Sequence, residues 1–230
     1  MVADCIIYHP TYTKLTKFLD STPKREKSFR LVAYLSRFLA YYLQRQGYSK
    51  EAVQTFVDLK AHATFIRKGM RFLKPLNHLE AAGKLYDNKN IQFRWANIIR
   101  NLALSGYLVL DSVSWFKMMG LINKTKFPTV GTNATRFWLL GLIAGVVNGL
   151  QNIYSYRQYK ASVNKTGDEK VDIDAVNAKL YSAKRKLIWD LLDMFIALNL
   201  LGYLHFTEGD IGLAGTITSI LGLTDLWRAT

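Results

Sequence analysis

Asp190 and Asp193 stand three residues apart in the apolar stretch WDLLDMF. On a helix that spacing puts both carboxylates on one face, where they could line a conducting path or exchange a proton inside a membrane. No nucleophile or histidine converges on them, so the favoured reading is a salt-bridged anchor to Lys184, Arg185 or Lys186. The pair is kept as a candidate pore or intramembrane polar site. His9, His62, His78 and His205 lack metal-ligand spacing. Gly141, Gly145 and Gly149 lack the lysine that a phosphate loop needs. Cys5 is the single cysteine, which excludes an intrachain disulfide or a thiolate metal site. The expectation is a protein that is not an enzyme and holds no cofactor and no metal.

Charge points to the partner. The 230 residues carry 31 Lys/Arg against 17 Asp/Glu, a net +14, and such an excess implies an anionic surface. The first 100 residues hold 18 of the cations and 7 of the acids. Nucleic acid is disfavoured, because the cations are spread along helices with no recognisable binding module and residues 137–154 form an 18-residue uncharged run. An anionic phospholipid membrane remains.

The segment FIRKGMRFLKPLNHL, residues 65–79, interleaves cations with large apolar side chains. On a helical wheel Phe65, Ile66, Met70, Phe72, Leu73, Leu76 and Leu79 form one face, and Arg67, Lys68, Arg71 and Lys74 the other. The expected roles are insertion of the first set among acyl chains and binding of headgroups by the second. Packing of the apolar face against neighbouring helices is the alternative. Leu76 and Leu79 keep the phase of the stripe, so Pro75 is expected to kink a continuous helix.

The elements that must position these residues are helices: prolines are few and apolar positions recur at three- and four-residue steps. Pro10 opens a short helix. A second starts at Thr22 and Pro23, is expected to bury Phe29, Val32, Leu35, Phe38, Leu39 and Leu43, and ends near Gly47. A third is capped by Ser49 and runs into residues 65–79. The turn Tyr86–Asn90 precedes a long helix from about Ile91 to Ile122. Residues 137–154 would span about 27 Å as a helix and are the best membrane span. Residues 187–206 are a second, weaker span, and 102–122 and 211–223 are further apolar segments. Residues 162–179 read as an exposed polar connection. The expectation is an all-α, membrane-associated helical bundle with amphipathic N-terminal helices and about two, up to four, membrane-embedded helices. Its regions are a basic, cytosol-facing 1–90, a long helix and connection in 91–135, and a membrane-embedded 136–230 with a polar loop near 160–182. Gly141, Gly145 and Gly149 form a small-residue ladder suited to helix packing and to clustering of copies. The N-terminus lacks the pattern of a secretory signal, and the last residues are not a Ser-Lys-Leu peroxisomal address.

Several patches carry a resemblance: YHP at 8–10, KFLD at 17–20, RFLA at 37–40, RFLKPLNHL at 71–79, LYDNK at 85–89, WDLLDMFIALNLLGYL at 189–204 and TSILGLTDLW at 218–227. In this order and spacing the chain resembles the peroxin eleven family of peroxisomal membrane proteins, most of all its fungal type. Residues 120–180 are the least similar. The resemblance implies a peroxisomal membrane protein whose amphipathic helix, mapped onto residues 65–79, inserts into the cytosolic leaflet and starts elongation, promoting proliferation and fission. It also implies a homo-oligomer, a fission adaptor and a dynamin-related GTPase as partners, and an N-terminal region in the cytosol. A pore for small metabolites is the alternative function.

Overall fold

A computed structural model describes residues 8–87, 93–166 and 173–230, and all regular structure among them is α-helical. The described residues form eight helices: α1 Pro10–Asp20, α2 Thr22–Arg45, α3 Lys50–Met70, α4 Lys74–Asp87, α5 Arg94–Met118, α6 Val130–Thr166, α7 Ile173–Leu200 and α8 Glu208–Arg228. Local chemistry sets most ends. His9 Nδ1 accepts from Thr11 N–H at the start of α1. Ser49 Oγ accepts from Ala52 N–H at the start of α3. The cap position of α2 is Ser21, one residue before the expected Thr22, with proline in the first turn. Thr207 and Asp210 close a reciprocal capping box on α8.

Three expected boundaries move. The turn after α4 lies mostly outside the described residues, and α5 starts at Arg94 and stops at Met118 rather than covering 91–122. α6 runs to Thr166 and α7 begins at Ile173, so helix covers most of the expected polar connection at 162–179. Residues 187–206 are not one helix: α7 ends at Leu200, Gly202 adopts φ +77, and Thr207 caps the next helix. A glycine with positive φ and a capping box override the apolar content of that stretch. α6 is the one helix among the described residues long and apolar enough to cross a membrane, over Val130–Val163.

The chain forms two compact units that interleave in sequence. The first comprises the described residues up to Phe72, with Ser112–Lys126 and His205–Thr230; the second comprises Leu73–Asp111 and Phe127–Leu204. In the first, α2 packs on α1, α3 and α8. Its buried stripe is Glu26, Arg30, Ala33, Ser36 and Ala40, whereas Val32 and Leu35 of the expected core face are exposed. α8 likewise buries Gly209, Gly212, Gly215, Thr218 and Ser219 and leaves Leu213, Ile217 and Ile220 exposed. Small residues line the seam because the backbones come close: a Cβ on Gly212 would lie 2.6 Å from the backbone nitrogen of Phe38. Side chains at Gly209 and Gly215 would meet the rings of Tyr41 and Tyr34. Polar links reinforce the seam: Arg30 Nη2 donates to Thr218 Oγ1 at 2.9 Å, and Arg37 donates twice to Glu208 at 2.7 Å.

In the second unit α6 and α7 pack antiparallel, with Lys160 on Asn177 and Gly149 on Leu187. α5 lies on the same face of α6: Phe137 covers Gly106, Leu104 covers Gly141, and Tyr107 stacks on Trp138 at 5.9 Å. The ladder Gly141, Gly145 and Gly149 is therefore occupied by α5 and α7 of the same chain. Its contacts are internal, and in this fold it is not free to join copies.

Two outcomes follow from the α2·α8 seam. Gly212→Val forces the backbones apart and costs about 1–3 kcal/mol, read as earlier thermal unfolding and faster proteolysis of α8 in detergent. The Arg37 hydrogen bonds hold the Glu208 carboxyl below its usual range. That link therefore stabilises the seam above the unfolded carboxyl value of about 4.3 and is lost as pH falls through the lower folded value, which an acid titration of α8 proteolysis detects.

Candidate membrane-contacting surface

Residues 65–79 do not form one bent helix. α3 ends at Met70, where Arg71 N–H and Phe72 N–H turn back onto the carbonyls of Lys68 and Gly69, and α4 opens at Lys74. Pro75 is the second residue of α4. A missing N–H costs least in a first turn, so the proline starts a helix here instead of kinking one. Its buried ring leaves the carbonyl to accept from Ser105 Oγ at 3.2 Å. His78 Nδ1 meets Asn101 Oδ1 at 3.0 Å, while the Asn101 amide donates to the Asn97 carbonyl.

Most of the large apolar side chains of the segment are turned outward. Leu73 is 65% exposed and Leu76 62%, and Ile66, Phe72 and Leu79 are exposed as well. Phe65 and Met70 are half-buried. The anchor of the first part is Trp115, which contacts Phe65 and Phe72 with centroids 6.2 and 5.9 Å away. It approaches so closely that a Cβ on Gly69 would stand 2.9 Å from it. Phe116 closes edge-on against Phe72 at 5.3 Å.

Of the four expected headgroup ligands, Arg67 is turned inward. It is 8% exposed, and its Nε and Nη2 both lie 3.0 Å from Glu26 Oε1 on α2. Burial lowers the affinity of the guanidinium for its proton, the neighbouring Arg71 adds repulsion, and Glu26 opposes both. A carboxylate one helix away, rather than a phosphate outside, thus meets Arg67 in this fold. Lys68, Arg71 and Lys74 are half-buried.

The second unit holds the other singled-out group. Asp190, 2% exposed, receives both Nη atoms of Arg100 at 2.7 and 2.9 Å and Lys186 Nζ at 3.0 Å. Lys186 is one of the three expected anchors; Arg100 is an addition, 90 residues away in sequence and invisible to any local spacing rule. Gly145 makes that pair possible, since a Cβ there would collide with the Arg100 guanidinium and stand 2.8 Å from Asp190 Oδ2. Asp193 is also buried, and it accepts from Trp189 Nε1 at 3.1 Å within α7. Beside them Asn97 and Asn148 exchange side-chain hydrogen bonds at 2.7 and 3.4 Å, a pairing that suits helices in an apolar surrounding. Among the described residues no group of three or more His, Cys, Asp or Glu is placed to hold a metal ion.

The Glu26–Arg67 pair makes a distinguishing prediction. Arg67→Glu alone leaves two acids buried together and costs about 3–5 kcal/mol, whereas Glu26→Arg with Arg67→Glu restores most of the melting temperature in detergent. A headgroup ligand would not be rescued by an exchange inside the protein.

A family model described as Peroxisomal biogenesis factor 11 (PEX11) matches residues 12–227. The chain is 42% identical to Peroxisomal membrane protein PMP27 of Saccharomyces cerevisiae, with both chains covered in full. It is 35% identical to Peroxisomal membrane protein PMP30B of Candida boidinii, covering 100% of this chain and 99% of the relative. It is 22% identical to human Peroxisomal membrane protein 11B, covering 91% and 95% of the two chains. No solved structure matches. The chain belongs to the PEX11 family of peroxisomal biogenesis factors, in its fungal type, and its relatives are peroxisomal membrane proteins.

Proposed function

We propose that the protein remodels and elongates the peroxisomal membrane by seating the apolar side of residues 65–79 among acyl chains of the cytosolic leaflet, and so promotes proliferation and fission. The observation that carries this reading is the exposure, within fourteen residues of sequence, of Ile66 and Phe72 on the first unit and of Leu73, Leu76 and Leu79 on the second, with Arg67 drawn inward. Removing roughly half the surface of five such side chains from water is worth about 5 kcal/mol. Lys68, Arg71 and Lys74 add at most about 1 kcal/mol each at an anionic surface, less in salt. Apolar insertion dominates, and an inserted wedge widens one leaflet and favours curvature.

Residues up to Phe72 and residues from His205 onward belong to one unit. A cytosolic N-terminal region is part of the same proposal. Self-association belongs to the same proposal through a surface other than the glycine ladder, and a fission adaptor and a dynamin-related GTPase then act on the elongated membrane. A metabolite pore has less support, because Asp190 is already engaged by Arg100 and Lys186.

Full-length protein reconstituted with vesicles containing about one-third phosphatidylinositol tests the reading. Native protein draws tubes, and Leu73→Asp with Leu76→Asp reduces them at least tenfold, while 0.5 M salt weakens tubulation only a few-fold. Tubes of native frequency from the double variant would contradict it.

A further inference from the structure

The first unit presents a second apolar surface, on α2 and α8, that the reading above does not use. Between Lys27 and Arg45, α2 carries two charges, and both point inward: Arg30 is buried on Thr218, and Arg37 is held by Glu208. What α2 turns outward is Val32, Leu35 and Tyr42. α8 has no charge from Ile211 to Thr224, and it turns Leu213, Ile217 and Ile220 outward. In water the large aliphatics would be the buried set and glycine, serine and threonine the exposed one. Here Ile211 is buried and Phe29, Phe38, Leu39 and Leu43 are half-buried, but glycine, serine and threonine fill the closest contacts while Leu213, Ile217 and Ile220 stay outside, as expected where the surrounding solvent is hydrocarbon and helices meet through small and polar residues.

The ends of this face supply a second line of argument. The belt on α8 is uncharged over about 21 Å, and that on α2, whose Arg30 and Arg37 are taken up by Thr218 and Glu208, is about 25 Å long, at about 1.5 Å per residue. A hydrocarbon core is about 30 Å thick, and a bilayer thins locally around shorter belts. The two helices run antiparallel, so the start of α2 meets the end of α8: Lys24 Nζ donates to Thr230 Oγ1 at 2.6 Å, and Lys14 lies 4.9 Å over the ring of Trp227. Lys14 and Lys24 are thus placed at that end, and Arg25 and Lys27 in the first turns of α2 and Arg228 in the last turn of α8 outnumber Asp225 there. An apolar belt closed by a cluster of cations is the charge complement of acyl chains beneath an anionic headgroup layer. The outward side of α3 differs, exposing Glu51, Gln54, Asp58 and His62.

We infer that the outward flank of the α2·α8 pair is a lipid-facing surface, with acyl chains against Leu35, Leu213 and Ile217 and anionic headgroups at the cationic end, while α3 faces water. The N-terminal region is therefore part of the membrane body on this flank. The inference is independent of remodelling by residues 65–79 and stands if that reading fails.

The test uses full-length protein with Cys5→Ser, in vesicles of phosphatidylcholine and phosphatidylinositol. Single cysteines are placed at Leu35→Cys, Ile217→Cys, Asp58→Cys and Lys17→Cys and reacted with a charged, membrane-impermeant maleimide. The flank positions are expected to label at least tenfold more slowly than the faster of the two references, and to label fully in SDS. In parallel, a phosphatidylcholine carrying a diazirine on its acyl chain, photolysed with the unsubstituted protein, is expected to label peptides covering residues 28–44 and 211–224. Flank cysteines that react as fast as the references place the surface in water and overturn the inference. Protected cysteines with no lipid adduct, joined instead from chain to chain by a short bifunctional reagent, assign the surface to a second copy and overturn it as well.

Discussion

Helices whose outward sides are apolar gain little from the hydrophobic effect by coming together in lipid, so the force that joins them has to arise inside the contact. The interior of this protein meets that constraint with close backbone approach and paired polar groups. Gly212 lets α8 reach the backbone of Phe38, and Gly145 leaves room for Arg100 to grip Asp190 with both nitrogens. Each glycine is tied to a polar link that would fail if the backbones moved apart: Arg37 to Glu208 one turn from the first, the Arg100 pair beside the second. Truncating one partner of such a pair strands a charge and costs more than the pair contributes when whole.

The same constraint explains the membrane-contacting segment. Arg67 is satisfied by Glu26 within the first unit, and Phe72 is held by Trp115 and Phe116. With Arg67 turned inward, Ile66 and Phe72 are left exposed on the first unit, and Leu73, Leu76 and Leu79 are exposed on the second. On the function proposed above, these side chains meet acyl chains. Family membership agrees with this solvent, since the relatives are proteins of the peroxisomal membrane.

Much of the helical order was legible in the sequence, because caps and breakers act locally: Pro10 and Ser49 mark ends that the fold uses, whereas the Thr207–Asp210 box was hidden by the apolar content of 187–206. The buried faces were not legible. Val32 and Leu35 share a stripe on the wheel of α2, and assuming that water surrounds it sends that stripe inward; in the structure Glu26, Arg30 and Ser36 take the interior. Periodicity locates a face, and only the solvent decides which way it turns. Pro75 misled for a related reason: the phase of Leu76 and Leu79 is equally compatible with a bend and with a fresh start, and phase says nothing of the lost N–H. The Gly209, Gly212, Gly215 spacing could have been read as a second packing seam from its three-residue steps. Arg100 could not have been paired with Asp190 from spacing, because tertiary contact alone brings them together.

The proposed function rests on the orientation of residues 65–79, apolar side chains to lipid and Arg67 to protein. Nitroxide labels placed singly at positions 66, 67, 73 and 76 of the vesicle-bound full-length chain report it through collision with oxygen, which partitions into acyl chains, and with a water-soluble nickel chelate. The account predicts strong oxygen and weak nickel collision at 66, 73 and 76, with an immobilised label at 67 reached by neither. A label at 67 that is mobile and freely reached by nickel would mean that this side faces headgroups and water, and would contradict the account.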